Sequence, residues 1–176
     1  AEIVSYLLSR LDIKTTPIGA EIIPGLELYG CYTREEVFTL VGRQTAEVKM
    51  QGTASGAFNL PEHNAVLLFV TLNKSEKDFS PSTQYNDYLI NDEYFHWQSK
   101  NTDSHYNSGG RKYIEQPKTG IKIILFVRDE KKDGFGNTSP FHCFGLVDYI
   151  SSHGDCPMNV KWKLQKPAMA QYLKAI

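Results

Sequence analysis

Apolar residues gather in four stretches of strand length. "NAVLLFVTL" (64–72), "IKIILFVRD" (121–129), "FHCFGLVDYI" (141–150) and "MNVKWKL" (158–164) are rich in branched and aromatic side chains, which pack well on a pleated surface. In the last, Val160, Trp162 and Leu164 alternate with Lys161 and Lys163, predicting a half-buried strand with a basic outer face. Helical spacing comes earlier. Ile3, Val4, Leu7, Leu8 and Leu11 fall on one face of a helix. "YTREEVFTLVG" predicts a second helix, with Thr33 and Glu36 as a capping box and Gly42 as its stop. Pro17, Gly19, Pro24 and Gly25 break the chain between the two.

"DEKKDGFGNTSP" and "SSHGDCP" join strands as hairpin connections, and no internal repeat is present. Small helices followed by at least five strands predict an α+β fold built on a curved antiparallel sheet or a small β-barrel. At 176 residues the chain suits one domain, with 1–25 a helical linker, 26–164 the core and 165–176 a tail. One stretch resists the pattern. "EYFHWQSKNTDSHYNSGGRKY" (93–113) crowds Tyr94, Phe95, His96 and Trp97 together, neither alternating with polar residues nor recurring at helical spacing. It runs into a loop over 101–120 that holds Arg111, Lys112 and Lys118, with Gly109 and Gly110 permitting close backbone approach.

Composition narrows the setting. No apolar run approaches the roughly 18–20 residues that span a bilayer. The chain starts at Ala1 without a secretory leader, which reads as a piece of a longer polypeptide. Cys31, Cys143 and Cys156 make no disulfide framework, so a reducing, cytoplasmic setting is expected. The net charge of −1 hides an asymmetry. Residues 1–93 carry 7 Lys/Arg against 13 Asp/Glu, and residues 94–176 carry 12 against 7, giving −6 and +5. The second half suits an anionic partner.

Most enzyme signatures are absent, including phosphate-cradling, dinucleotide, zinc-protease and nucleophile-elbow motifs. His142, Cys143, His153 and Cys156 are a poor zinc set, because strand sequence separates the pairs and turns His142 and Cys143 to opposite faces. A Mg²⁺-dependent nuclease could use Asp87, Asp129 and Lys131, although Asp129 opens an ordinary hairpin turn. Base binding fits more of the chain. Tyr85, Tyr88, Phe95 and Trp97 offer ring faces to a planar base, and Asp87, His96 and Gln98 offer edge contacts. Lys74, Lys77, Ser99, Lys100, Arg111, Lys112 and Lys118 are the candidates for the phosphate backbone. No catalytic residue, metal ligand or cofactor is assigned.

"LELYGCYTREEVFTLVG", "LLFVTLNKSEKDFSPSTQYNDYLINDEYFHWQSKN", "GIKIILFVRDEK" and "FGLVDYISSHGDCPMNVKWKL" resemble the C-terminal DUF3427 domain of bacterial superfamily 2 helicases, over residues 26–164. Such helicases often carry a phospholipase D-like nuclease domain, as in ATP-dependent type IV restriction endonucleases of the SauUSI kind. The resemblance implies a target-recognition domain with an SRA-like barrel, a PUA- or B3-like barrel being the alternative. It implies base flipping of 5-methylcytosine or 5-hydroxymethylcytosine in double-stranded DNA, no catalysis by this domain alone, and helicase and nuclease partners on the same polypeptide. The alternatives are a sequence-specific duplex binder without flipping, the Mg²⁺ nuclease above, and a protein-interaction module of a helicase.

Overall fold

The computed structural model describes residues 18, 23–45, 55–75 and 85–173. The helix expected near the N-terminus and Lys77 lie outside the described residues. In chain order the elements are β1 (Cys31–Tyr32), α1 (Arg34–Leu40), β2 (Ala57–Leu60), a 3-10 turn (Pro61–His63), β3 (Ala65–Asn73), β4 (Tyr88–Leu89), β5 (Tyr94–Gln98), α2 (Ser108–Ile114), α3 (Gln116–Thr119), β6 (Lys122–Glu130), β7 (Phe141–His153), β8 (Asn159–Leu164) and α4 (Ala170–Leu173). The capping box of α1 is formed: the Thr33 Oγ1 accepts from the Glu36 N–H, and the Thr33 N–H donates to Glu36 Oε2 at 2.7 Å. Gly42 follows with φ +72°, a conformation open to glycine at little cost.

The fold is α+β, with an open, curved sheet of eight strands in the order β2-β3-β6-β7-β8-β5-β4 and β1 beside β7. The pairs between named strands are antiparallel except one, β3 with β6, which run parallel. Their continuous apolar sequence follows from this position, since both strands are buried on both faces. Ile23, Leu26, Val37 and Phe38 cover one face with Leu67, Phe69 and Phe126. The other face holds the larger core. There Val66, Leu68 and Val70 of β3 meet Leu89, Phe95 and Trp97 of β4 and β5, strands that are not their neighbours in the sheet. The sheet therefore curls around this core.

Gly145 makes one corner of the curl. It takes φ +77° beside a register shift between β6 and β7, and a Cβ there would press within 3.0 Å of Leu28. β7 pairs with β1 before the corner, with β8 after it, and with β6 on both sides of it. The β6–β7 and β7–β8 hairpins sit where the turn sequences predict them. The loop expected over 101–120 is irregular over 101–107 and then forms two short helices, α2 and α3.

Candidate nucleic-acid interface

The aromatic run in β5 resolves into strand alternation. Phe95 and Trp97 point into the larger core, while Tyr94, His96 and Gln98 alternate with them and are half-buried. Both faces of this strand carry rings, which is why the run shows no apolar–polar rhythm. Phe95 is 0% exposed and packs in the larger core. Trp97 is different in what surrounds it.

Trp97 lies 5.0 Å from Tyr113 of α2, edge to face, and Trp162 of β8 lies 6.0–6.1 Å from both rings and from Tyr149. Among the described residues, three buried side-chain polar atoms lack a hydrogen-bond partner: Trp162 Nε1, the Tyr113 hydroxyl and Asp103 Oδ2. Trp162 and Tyr113 belong to this cluster, and the Asp103 charge acts on the Tyr113 hydroxyl. Burial first and the Asp103 carboxylate second push the Tyr113 hydroxyl upward. An unsatisfied buried group costs about 1–3 kcal/mol, so three in one neighbourhood are an unusual expense for a folded core.

The chain holds Asp103 there by its backbone. Its N–H donates to Lys100 O at 2.9 Å, and its carbonyl accepts from the Cys156 N–H at 3.1 Å. Ser99, fully buried, accepts from the Met158 N–H and clamps the same hairpin. Gly110 has no room for a side chain: a Cβ would stand 2.1 Å from Ser104 O and 2.3 Å from Met158 Sδ. A Cβ on Gly109 would meet Asp103 Oδ1 at 2.5 Å. The two glycines thus let α2 close over Trp97, with Asn107 capping its first turn through Gly110 N–H. Their close approach is to the chain itself. Ser99, expected at the phosphate backbone, is likewise held inside the fold by this clamp.

Cations surround this lid. Residues 99–122 carry five Lys/Arg (Lys100, Arg111, Lys112, Lys118, Lys122) against Asp103 and Glu115, so 5 − 2 gives +3. Lys100, Arg111 and Lys118 are exposed. Arg111 reaches Glu115 one turn on, a surface pair of little energetic weight. The Lys112 ammonium sits 4.8 Å over the Tyr113 ring and donates to Asn59 Oδ1 at 2.9 Å. Burial lowers its pKa, opposed by the Asp103 charge. Beside α2 opens a cleft of about 580 Å³ whose lining includes Arg111, Lys112, Ser108 and Tyr106. The Tyr106 side chain is almost fully exposed.

The remaining candidates lie elsewhere. Asp87 is buried and saturated: its Oδ2 meets Lys74 Nζ at 2.8 Å, and its Oδ1 accepts the Gln98 N–H at 2.8 Å. Lys74 also donates to Tyr85 O at 2.7 Å, so it faces inward, away from any phosphate. Asp87 and Lys74, expected at the base and the phosphate backbone, here form an internal pair. Burial pushes the Asp87 carboxyl upward, against the pull of Lys74. Tyr88 is exposed and stacks on His96 at 4.6 Å. The Gln98 amide bridges Asn86 and Asn159. In the nuclease alternative, Asp87 is thus committed to Lys74, and Asp129 accepts from Asn73. Among the described residues no three His, Cys, Asp or Glu side chains gather where a metal ion could sit. No helix among them is long and apolar enough to cross a membrane.

Residues 26–175 match the family described as Domain of unknown function (DUF3427). The chain belongs to the DUF3427 family. The match takes in every strand and helix described above, so the curled sheet and its lid are the family's domain. No curated protein matches the chain. Among solved structures it is similar to "The 5-Hydroxymethylcytosine-Specific Restriction Enzyme AbaSI", with a TM-score of 0.44 and 15% identity over 92% of this chain and 49% of that one. The chain spans about half the length of that protein. Asp103, Tyr113 and Trp162 were not singled out by the sequence, since nothing in their spacing joins them to Trp97.

Proposed function

We propose that this domain recognises modified cytosine in double-stranded DNA, within a restriction system whose helicase and nuclease domains share its polypeptide. The domain binds without cutting. The observation that carries the reading is the placement of three unpaired buried polar atoms on an aromatic cluster beneath a basic lid. A flipped cytosine supplies what each lacks. Its N4 amine donates, and a carboxylate such as Asp103 is the natural acceptor. Its ring offers π-faces to Trp97, Tyr113 and Trp162, and its O2 and N3 accept from an N–H or O–H. A base enters only if the Tyr113 ring gives way, so α2 is the moving lid. Lys100, Arg111, Lys112 and Lys118 then face the phosphates around the extruded nucleotide, which positions the duplex without reading it.

One methyl group in such a cage is worth about 0.8 kcal/mol, roughly a fourfold preference. Matched duplexes carrying cytosine, 5-methylcytosine or 5-hydroxymethylcytosine at one position test the reading by fluorescence anisotropy. A modified duplex binds severalfold more tightly, and Asp103→Asn removes that preference. Equal affinities across several flanking sequences overturn the proposal. Conversion of methylated plasmid to fragments by the pure domain in Mg²⁺ would establish the nuclease in its place.

A further inference from the structure

The opposite side of β4, β5 and β8 carries a second arrangement that the interior cage does not use. Strand register sets its outward side chains in three rungs. Tyr94 pairs with Lys163 and Asp148; Tyr88 pairs with His96 and then Lys161; Gln98 pairs with Asn159 and His153. The rings are not isolated. Tyr88 stacks on His96 with planes 14° apart, and Lys161 Nζ stands 4.4 Å over the Tyr94 ring. Tyr88 is 43% exposed, and Ile90, just past the end of β4, is 37% exposed. Asp148 is the acid on these rungs, and the Gln165 amide engages both its oxygens. These rungs therefore offer aromatic rings and ammonium groups at strand spacing, with the Asp148 carboxylate already hydrogen-bonded.

We propose that this face is a second nucleic-acid site, a platform for the unpaired bases of single-stranded DNA. Rings spaced along a sheet suit successive bases, because every base has a π-face and stacking tolerates any sequence. Lys161 and Lys163 suit the backbone running beside those bases, and the amides of Gln98 and Asn159 extend the polar track at one end. A duplex hides its base faces and gains little from such a surface. This site lies on the other side of β5 from Trp97, so its occupancy does not depend on the cage or on modified-cytosine recognition.

The test uses the chain as it stands and a fluorescein-labelled oligothymidylate of about 15 nucleotides in low salt. The expected result is saturable binding that weakens about fivefold or more in Tyr88→Ala and again in Tyr94→Ala, and survives in Tyr88→Phe. Lys161→Gln with Lys163→Gln weakens it further and flattens its salt dependence. Affinity for a fully paired duplex stays unchanged in all of these variants, as do their melting temperatures. No binding of the single strand overturns the proposal. So does binding that Tyr88→Ala and Tyr94→Ala leave intact, or a loss confined to variants that have also lost their fold. Loss of the modified-duplex preference in the Asp103→Asn protein with single-strand binding retained supports a platform separate from the cage.

Discussion

The Nζ of Lys74 lies 2.8 Å from Oδ2 of Asp87, and both side chains are less than a tenth exposed. Lys74 follows β3 and Asp87 precedes β4, strands far apart in the sheet order. β2 covers only the first part of β3, from Ala65 to Leu68. The pair therefore fastens the uncovered end of β3 to the far edge of the curled sheet. Removing one member strands a buried charge, so Asp87→Ala or Lys74→Ala lowers stability by about 3–5 kcal/mol. Replacing both together with Leu and Met restores most of it. Urea melts of the three variants check this. An Asp87→Ala protein of normal stability that has lost its preference for modified DNA would return Asp87 to the base-reading role.

Tyr113→Phe deletes one of the unpaired buried hydroxyls without changing the ring. In a plain core this is neutral or stabilising, because an uncompensated polar atom disappears. In the proposed cage it also lowers affinity for modified duplex severalfold. Thermal melts together with anisotropy titrations distinguish the two. A more stable protein with unaltered recognition places the hydroxyl outside the site.

Arg111, Lys118 and Lys100 are exposed around the lid, so their loss leaves the fold intact. Each phosphate contact removed lowers the slope of log affinity against log salt by about 0.9. Arg111→Ala with Lys118→Ala weakens modified and unmodified duplexes alike. An unchanged slope in the double variant takes the lid off the DNA.

Burial holds the His142 imidazole below its ordinary value, with Nδ1 against the Tyr172 hydroxyl. The unfolded chain takes up this proton as pH falls through about 6.5, while the folded chain resists. Stability contributed by the neutral ring is present above that pH and is lost as pH falls toward the folded value. Melting temperatures from pH 7.5 to 5 therefore drop more steeply for the native chain than for His142→Gln. Parallel curves contradict this.

The strands were legible in the sequence wherever one rule governed. The apolar runs of β3 and β6 record burial on both faces, and the Lys161–Lys163 alternation marks the outward face of β8. The run from Tyr94 to Trp97 was not, because rings occupy both faces of β5 and erase the period of two. The helices over 108–119 hid behind Gly109 and Gly110, which lower helix propensity yet are required by the contact with Ser104 and Met158. The cage was illegible for a different reason. Trp97 and Trp162 come from the neighbouring strands β5 and β8, far apart in sequence, and Asp103 and Tyr113 are carried over them by the segment that follows β5. The chemistry of Asp87 suits a base edge, but the sequence does not show that its oxygens meet Lys74 and the Gln98 N–H.

The chain holds two tryptophans, Trp97 and Trp162, and both line the proposed cage. Their emission therefore reports the central claim directly. Saturating the protein with a duplex bearing one 5-methylcytosine should quench tryptophan fluorescence strongly, as the flipped base stacks on the indoles. The unmodified duplex, also at saturation by anisotropy, should quench it weakly, and Asp103→Asn should abolish the difference. Equal quenching by both duplexes, or none while both are bound, would contradict a cytosine held among Trp97, Tyr113 and Trp162.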